Sequence, residues 1–420
     1  MNSSSDRPHR YSYSMAFAIL VGASIPALAF GRTVFAVLIG LALVSLMASP
    51  LRKITWLTLI EDMRSSLGIL VFIVIFSWSL SALGSDFPLR SLEASVRTGL
   101  FIALALIIYS ALSQDAQLSI ICLKTLILMV LGSSGFALLA SLFLPEIYWL
   151  LRFKGWDSTP LGSAFKGYSA LIVLVSPVLI IGVLRLRLLW KFAALAGLIM
   201  LLSIMLLSVN RSAIAGLLFM AMTFSFTQFF RPQYRRKAIV IGAGFVTLFI
   251  GAMFWLRYSR LYVHQITNIF PDQNWFLPIW LVDFQRQTIW NFTVQIWKNA
   301  PWFGIGPNTI NFQPGAHSPL PGDDALHLIP AHPHNWVVEV LAETGALGLC
   351  LLLLALGAFG IQWIRRYADK GELTILSLLL ISGGYWGAGL FNFSYWSAWW
   401  QFSFFITLAI TAALAQDKKL

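Results

Sequence analysis

Apolar residues run along this chain in long windows separated by short polar punctuation. The windows fall at about 14–30, 33–49, 67–84, 95–112, 118–144, 168–184, 192–208, 213–230, 238–256, 336–363, 373–390 and 398–415. Most approach the roughly 20 residues that a helix needs to cross a bilayer. The pattern predicts an all-α integral membrane protein of about 12 transmembrane helices. The first two spans join at a tight turn, Gly31–Arg32, and the seventh and eighth at the short turn Ser208–Ser212. The start MNSSSDRPHRYSYSM is polar and basic, and the apolar stretch that follows it lacks a convincing cleavage site, so that stretch reads as a span rather than a removable leader.

Composition sharpens this picture. Of 420 residues 58% are hydrophobic and 11% charged, against about 25% charged in soluble domains, and the mean hydropathy is +0.77. A soluble enzyme, a disordered tail protein and a secreted disulfide scaffold are excluded. Cys122 and Cys350 lie inside apolar runs and read as small packing residues. The net charge of +12, from 29 Lys and Arg against 17 Asp and Glu, points in so apolar a chain to membrane lipid phosphates and not to nucleic acid. Short basic loops such as RPQYRRK (231–237) place both termini on the cytoplasmic side. The expected division is nine spans in 1–256, a large, partly helical periplasmic loop at 257–335, and three spans in 336–420.

That loop breaks the pattern. It holds His264, His317, His327, His332 and His334, and Trp at 275, 280, 290, 297 and 302. A loop so long is uncommon unless functional, and its tryptophans suit a cap lying on the outer leaflet. A smaller outer loop, 145–167, carries Arg152, Lys154 and Lys166.

Three constellations could carry chemistry. Arg211, in LLSVNRSAIAGLLF, enters the eighth span at the positive end of a helix, where a bound anion would offset both charges; a snorkelling arginine is the plain alternative. Arg286, in WLVDFQRQTIWNFTVQIW, shares a helical face with Trp290, Val294 and Trp297, and faces either an enclosed anion or its neighbour Asp283. In AHPHNWVVEVLAETGALGL, Pro333 suits a first helical turn, so the tenth span is expected to begin there. His334 then sits at its lip, suited to general-base work near neutral pH. Asn335, Glu339 and Glu343 form one stripe down that helix, which balances an arginine or orients a polar network.

Weaker patterns accompany these. His332 and His334, with His327 or Asp323–Asp324, match no familiar metal-ligand spacing, so no metal is expected. PWFGIGPN (301–308) either cradles a phosphate or turns the chain after a helix ending at Ala300. The aromatic stretch FNFSYWSAWWQF (391–402) reads as a belt at the outer membrane interface.

Together SVNRSAIAGL (208–217), RQTIW (286–290) followed by NAPWFGIGPN (299–308), and HPHNWVVEVLAETGALGL (332–349) resemble the O-antigen ligase and polymerase superfamily of bacterial envelope glycosyltransferases. The resemblance implies a membrane glycosyltransferase of the polyprenyl-phosphate-dependent type, without cofactor, working at the periplasmic face of the inner membrane. Its donor would be a glycan on undecaprenyl pyrophosphate. On these residues it implies that Arg211 and Arg286 bind the pyrophosphate and that His334 is the base of a metal-independent, inverting transfer. Asn335, Glu339, Glu343, His332 and Asn308 would support them. A ligase would use lipid A-core as acceptor, met by Arg152, Lys154 and Lys166. A polymerase would use a second lipid-linked repeat, and a protein O-oligosaccharyltransferase a Ser or Thr. One dominant outer loop favours the ligase. A transporter or flippase of an anionic lipid-linked glycan should instead carry charge near the midplane, where only Lys124 and Arg97 are candidates.

Overall fold

The computed structural model describes residues 6–144, 146, 164–259, 282, 284–320, 323–329 and 331–416. Among them run α1 (Asp6–Ser24), α2 (Arg32–Ala48), α3 (Arg52–Arg64), α4 (Ser66–Ser81), α5 (Pro88–Ser113), α6 (Ala116–Leu142), α7 (Ile172–Arg185), α8 (Leu188–Leu207), α9 (Arg211–Phe229), α10 (Arg235–Ser259), α11 (Phe284–Asn299), α12 (Trp336–Lys370), α13 (Leu373–Gly389) and α14 (Ala398–Ala413). A single helical turn, Lys166–Ser169, precedes α7. A short antiparallel hairpin, β1 (Pro319–Leu320) and β2 (Asp323–His327), lies between α11 and α12.

Every predicted apolar window coincides with a helix. Among the described residues six helices are long and apolar enough to cross a membrane, seven if the bent pair α2–α3 counts as one span. Shorter apolar helices fill four further windows: Ser12–Ser24 within α1, α7, α13 and α14. The protein is thus a multi-pass, all-α membrane protein. Its outward faces are apolar as well: Val44, Phe72, Leu189 and Leu248 are all exposed. In lipid that is no penalty, because the solvent is itself hydrocarbon.

One helix escapes the hydropathy pattern. In RKITWLTLIEDMR, α3, charged residues at both ends dilute the apolar ones, and the segment read as an inner loop. It is helical and bends 109° from α2, burying only Thr55 and Leu59.

The main core joins α1, α5, α6, α7, α8, α9, α13 and α14 through residues such as Phe17, Leu123, Ile127, Val173, Trp400 and Ile406. A Cβ at Gly216 of α9 would lie 3.0 Å from the Gly384 carbonyl of α13, so these two helices meet backbone to backbone. That approach fixes the start of α9 beside the segment following α13. A second cluster packs Trp78, Ala94, Trp336, Val340, Tyr395 and Trp396. A third seats α11 on the start of α12 through Ile289, Trp290, Ile310, Ile329 and Ala342.

The stretch 391–402 is therefore no interface belt. Tyr395, Trp396, Trp399, Trp400 and Phe402 are buried; Tyr395 and Trp396 meet each other and Trp78 edge to face, and Trp400 stacks on Tyr385. Cys122 is buried as expected, whereas Cys350 is exposed on α12.

Candidate active site at three helix starts

Each of the three constellations sits at the beginning of a helix. Arg211 is the first residue of α9, exposed, behind an Asn210 N-cap whose side-chain oxygen accepts from Ala213 N at 3.2 Å. Arg286 lies in the first turn of α11, half-buried. His334 immediately precedes Asn335, the N-cap of α12, whose oxygen accepts from Val337 N at 3.0 Å. The helix thus begins at Trp336, not at Pro333 as the proline suggested. Pro333 instead offers its carbonyl to Trp290 Nε1 at 3.1 Å, which ties α11 to the stretch before α12.

The three starts are gathered by two residues of the segment between α13 and α14. The Phe391 carbonyl accepts from Arg286 Nη1 at 2.7 Å. The Asn392 carbonyl accepts from His334 Nδ1 at 3.0 Å and also from His332 Nε2. Asn392 Nδ2 donates to Ser212 Oγ at 3.4 Å, and Ser212 donates to Asn210 Oδ1 at 2.7 Å. Asn210 Nδ2 in turn donates to the Lys166 carbonyl at 2.8 Å and to Ser169 Oγ at 2.9 Å. A continuous polar chain therefore runs from the histidines to the turn that carries Arg211.

A carbonyl only accepts, so both ring nitrogens facing Asn392 carry hydrogen. His334 is thereby the Nδ1–H tautomer when neutral, with the lone pair on Nε2. The imidazoles stand 4.3 Å apart, centre to centre. Burial first, and His334 second, push His332 down to about 4, while its bond to Asn392 pulls the other way. His332 is neutral at pH 7. His327 is elsewhere, with Nδ1 on the His317 carbonyl at 2.8 Å, so the grouping of these histidines considered from spacing does not form.

The carboxylate stripe does a different job. Glu339 and Glu343 are buried, and among the described residues no arginine or lysine pairs with either. Glu339 accepts from Ser394 Oγ at 2.6 Å and Tyr395 N at 2.7 Å. Glu343 accepts from the backbone amides of Asn308, Thr309 and Ile310, each at 2.8 Å, and from Trp396 Nε1. Of the two roles open to the stripe, orienting a polar network is the one seen. The amides 308–310 are held by this carboxylate, so PWFGIGPN turns the chain after α11 and offers a phosphate none of those three donors.

The same loop explains ETGALG. Within α12, Gly345 takes φ 69°, ψ −178° and interrupts the helix. The groups freed there are claimed by the loop: Ile305 N donates to Ala342 O at 3.1 Å, Gly306 N to Glu343 O at 2.8 Å, and Ala346 N to Pro301 O at 2.8 Å. A Cβ at Gly345 would come within 2.2 Å of the Trp302 carbonyl, and one at Gly304 within 2.4 Å of the Glu343 carbonyl carbon. Irregular backbone at the head of a span is tolerated because protein, not lipid, satisfies it.

Three non-glycine residues among those described have positive φ: Val209 (46°), Asn308 (61°) and His334 (57°). Val209 lies in the Arg211 constellation, His334 in that of α12, and Asn308 ends the PWFGIGPN loop. Such residues cost on the order of 1–3 kcal/mol each and persist where surrounding structure over-determines them.

The remaining sequence candidates are placed as follows. Lys166 is exposed, its carbonyl on Asn210, one residue from Arg211. Arg152, Lys154 and Asp283 lie outside the described residues. Arg97 is paired with Glu93 and donates to the Trp396 carbonyl at 2.9 Å, and Lys124 stands 5.2 Å from the Trp190 ring; neither in-span cation is left bare. Sequence reasoning missed Phe391, Asn392, Ser212 and Arg90, whose Nε donates to the Asn308 carbonyl at 2.6 Å. The signal for Asn392 was faint: an amide side chain within an aromatic run that also holds Gln401.

Comparison with known proteins agrees with the motif resemblance. Residues 196–353 match the family model described as O-antigen ligase. A protein of Rickettsia conorii, named as a candidate polysaccharide ligase, is 25% identical over 117 residues, which are 27% of this chain and 28% of that protein. The chain thus spans little more than a quarter of that relative's length. The matched segment 196–353 contains Arg211, Arg286, His334 and both glutamates, and ends before the residues that gather them.

Proposed function

We propose that this protein is an O-antigen ligase. It moves a polysaccharide from undecaprenyl pyrophosphate to a sugar hydroxyl of lipid A-core, at the periplasmic face of the bacterial inner membrane. The N- and C-termini are cytoplasmic, and the segment 257–335 is periplasmic. The family match supports a polysaccharide-joining enzyme of the ligase and polymerase type. The observation that carries the reading is the convergence of three helix starts, with Arg211, Arg286 and His334, on residues 391–392.

The chemistry follows from the charges. Helix N-termini and guanidinium groups together favour a diphosphate. Arg211 and Arg286 bind it and stabilise the charge that grows as the bond from the anomeric carbon to the diphosphate oxygen breaks. The bonding electron pair leaves with the diphosphate. The acceptor hydroxyl oxygen attacks the anomeric carbon from the opposite face, giving inversion, and its proton passes to His334 Nε2. The imidazolium loses that proton to water before the next turnover. Arg152, Lys154 and Lys166 meet the phosphates of the acceptor.

The test is transfer by purified protein from a lipid-linked glycan to two acceptors offered separately. Ligation predicts product on lipid A-core. Product only on a second lipid-linked repeat would make the protein a polymerase, and product on neither, with glycan moved across vesicles instead, a transporter.

A further inference from the structure

We propose that His332 is a positioning residue for His334: its Nε2–H holds the Asn392 carbonyl where His334 Nδ1–H must also find it, and so selects the tautomer whose lone pair is on Nε2. The inference rests on the reading of His334 as the base, and adds what aims that base.

The geometry is that of one acceptor shared by two rings. His332 and His334 both donate to the Asn392 oxygen, their centres 4.3 Å apart. Pro333 between them has no N–H to compete for a carbonyl, and its own carbonyl is taken by Trp290 at 3.1 Å. The carbonyl is anchored from behind, since the Asn392 side chain reaches Ser212 at the start of α9. The preceding carbonyl, that of Phe391, receives Arg286. Adjacent peptides therefore hold the proposed phosphate clamp and the proposed base. Without the His332 bond the Asn392 oxygen would be held by His334 and by its own side-chain tether. The ring could then turn over to present the other nitrogen. An imidazole in the wrong tautomer cannot take a proton at the nitrogen facing the substrate.

Two substitutions of similar bulk separate donation from packing. His332→Gln keeps an N–H within reach of the same carbonyl, whereas His332→Met removes it. Nitrogen NMR of the purified protein with ¹⁵N-labelled histidine rings reads the tautomer of His334 directly. Its signals are assigned by their loss in His334→Gln. The expected result is one Nδ1–H species in the unsubstituted protein and in His332→Gln, and a mixture in His332→Met. Transfer assays should show kcat in His332→Met down on the order of tenfold, a part of the ~10²–10⁴ that a placed base supplies, with KM for the donor little changed and kcat regained in His332→Gln. An unaltered single tautomer in His332→Met, or no difference between the two variants, overturns the proposal. Full transfer by His334→Gln would sink the base reading itself, while the tautomer measurement would still decide whether His332 sets the ring.

Discussion

Charge is handled in two opposite ways in the candidate site. The negative residues, Glu339 and Glu343, are buried, and the partners seen for both are protein N–H and O–H groups. The positive ones, Arg211 and Arg286, stand exposed or half-exposed at helix starts. Had the glutamates neutralised the arginines, the site would be a closed set of ion pairs with little left to attract an anion. Instead the carboxylates are used up in shaping loops. The two cations stay at the starts of α9 and α11. The difference separates the carboxylates that build the scaffold from the arginines proposed to meet a ligand.

The largest effect is expected at the histidine that accompanies the arginines. His334→Ala should lower transfer by about 10²–10⁴-fold while the protein remains membrane-inserted; near-normal turnover would remove the base from the site. Next come the arginines. Arg211→Ala and Arg286→Ala should each lower donor use by roughly 10- to 100-fold, the equivalent of about 1.5–3 kcal/mol for a charge-assisted contact, read as binding of the lipid diphosphate and as transfer. Lysine should restore more at Arg211 than at Arg286, because only Arg286 is also seen serving a carbonyl through its planar fork. Equal rescue at both positions would erase that distinction.

Glu343→Gln sharpens the other half. It sets an amide NH₂ against the N–H groups of 308–310 and Trp396, and should cost about 1–3 kcal/mol of stability, seen as a lower thermal midpoint. Transfer per folded molecule should fall less than in either arginine variant. A larger fall in transfer than in stability would move Glu343 from scaffold to chemistry. The smallest effect is on pH. His332 titrates near 4 in the folded protein against 6.5 ordinarily. Between those values the unfolded chain binds the extra proton, so folding stability is present in full above 6.5 and declines as pH falls towards 4. His332→Gln should flatten that part of a melting-temperature profile; an unchanged slope would show that other groups set it.

Much of this was legible in the sequence. The helices announced themselves because lipid demands long apolar runs, and the three constellations because arginine and histidine are conspicuous among them. What holds the constellations together was not. Phe391 and Asn392 act through backbone carbonyls, which every residue has, so no side chain advertises the role. The break at Gly345 depends on a loop forty residues earlier in the chain, and spacing alone could not reveal that PWFGIGPN fits into it. Helix α3 was passed over because the charges at its ends lower its hydropathy, and hydropathy is what marks a span. The aromatic run at 391–402 looked like a membrane belt because apolar rings suit both an interface and a core, and only packing separates the two.

The interruption at Gly345 has a mechanical meaning. An unbroken helix is a stiff rod, and changes in bilayer thickness or tilt would be carried along it to the tip. Here the hydrogen-bond ladder is interrupted about three turns below His334, where the helix is clamped sideways to the loop 301–310. The loop holds both sides of that joint, the Ala342 and Glu343 carbonyls above it and the Ala346 and Leu347 amides below it. The tip that carries the histidine is referenced to the protein around it, and not to the membrane it stands in.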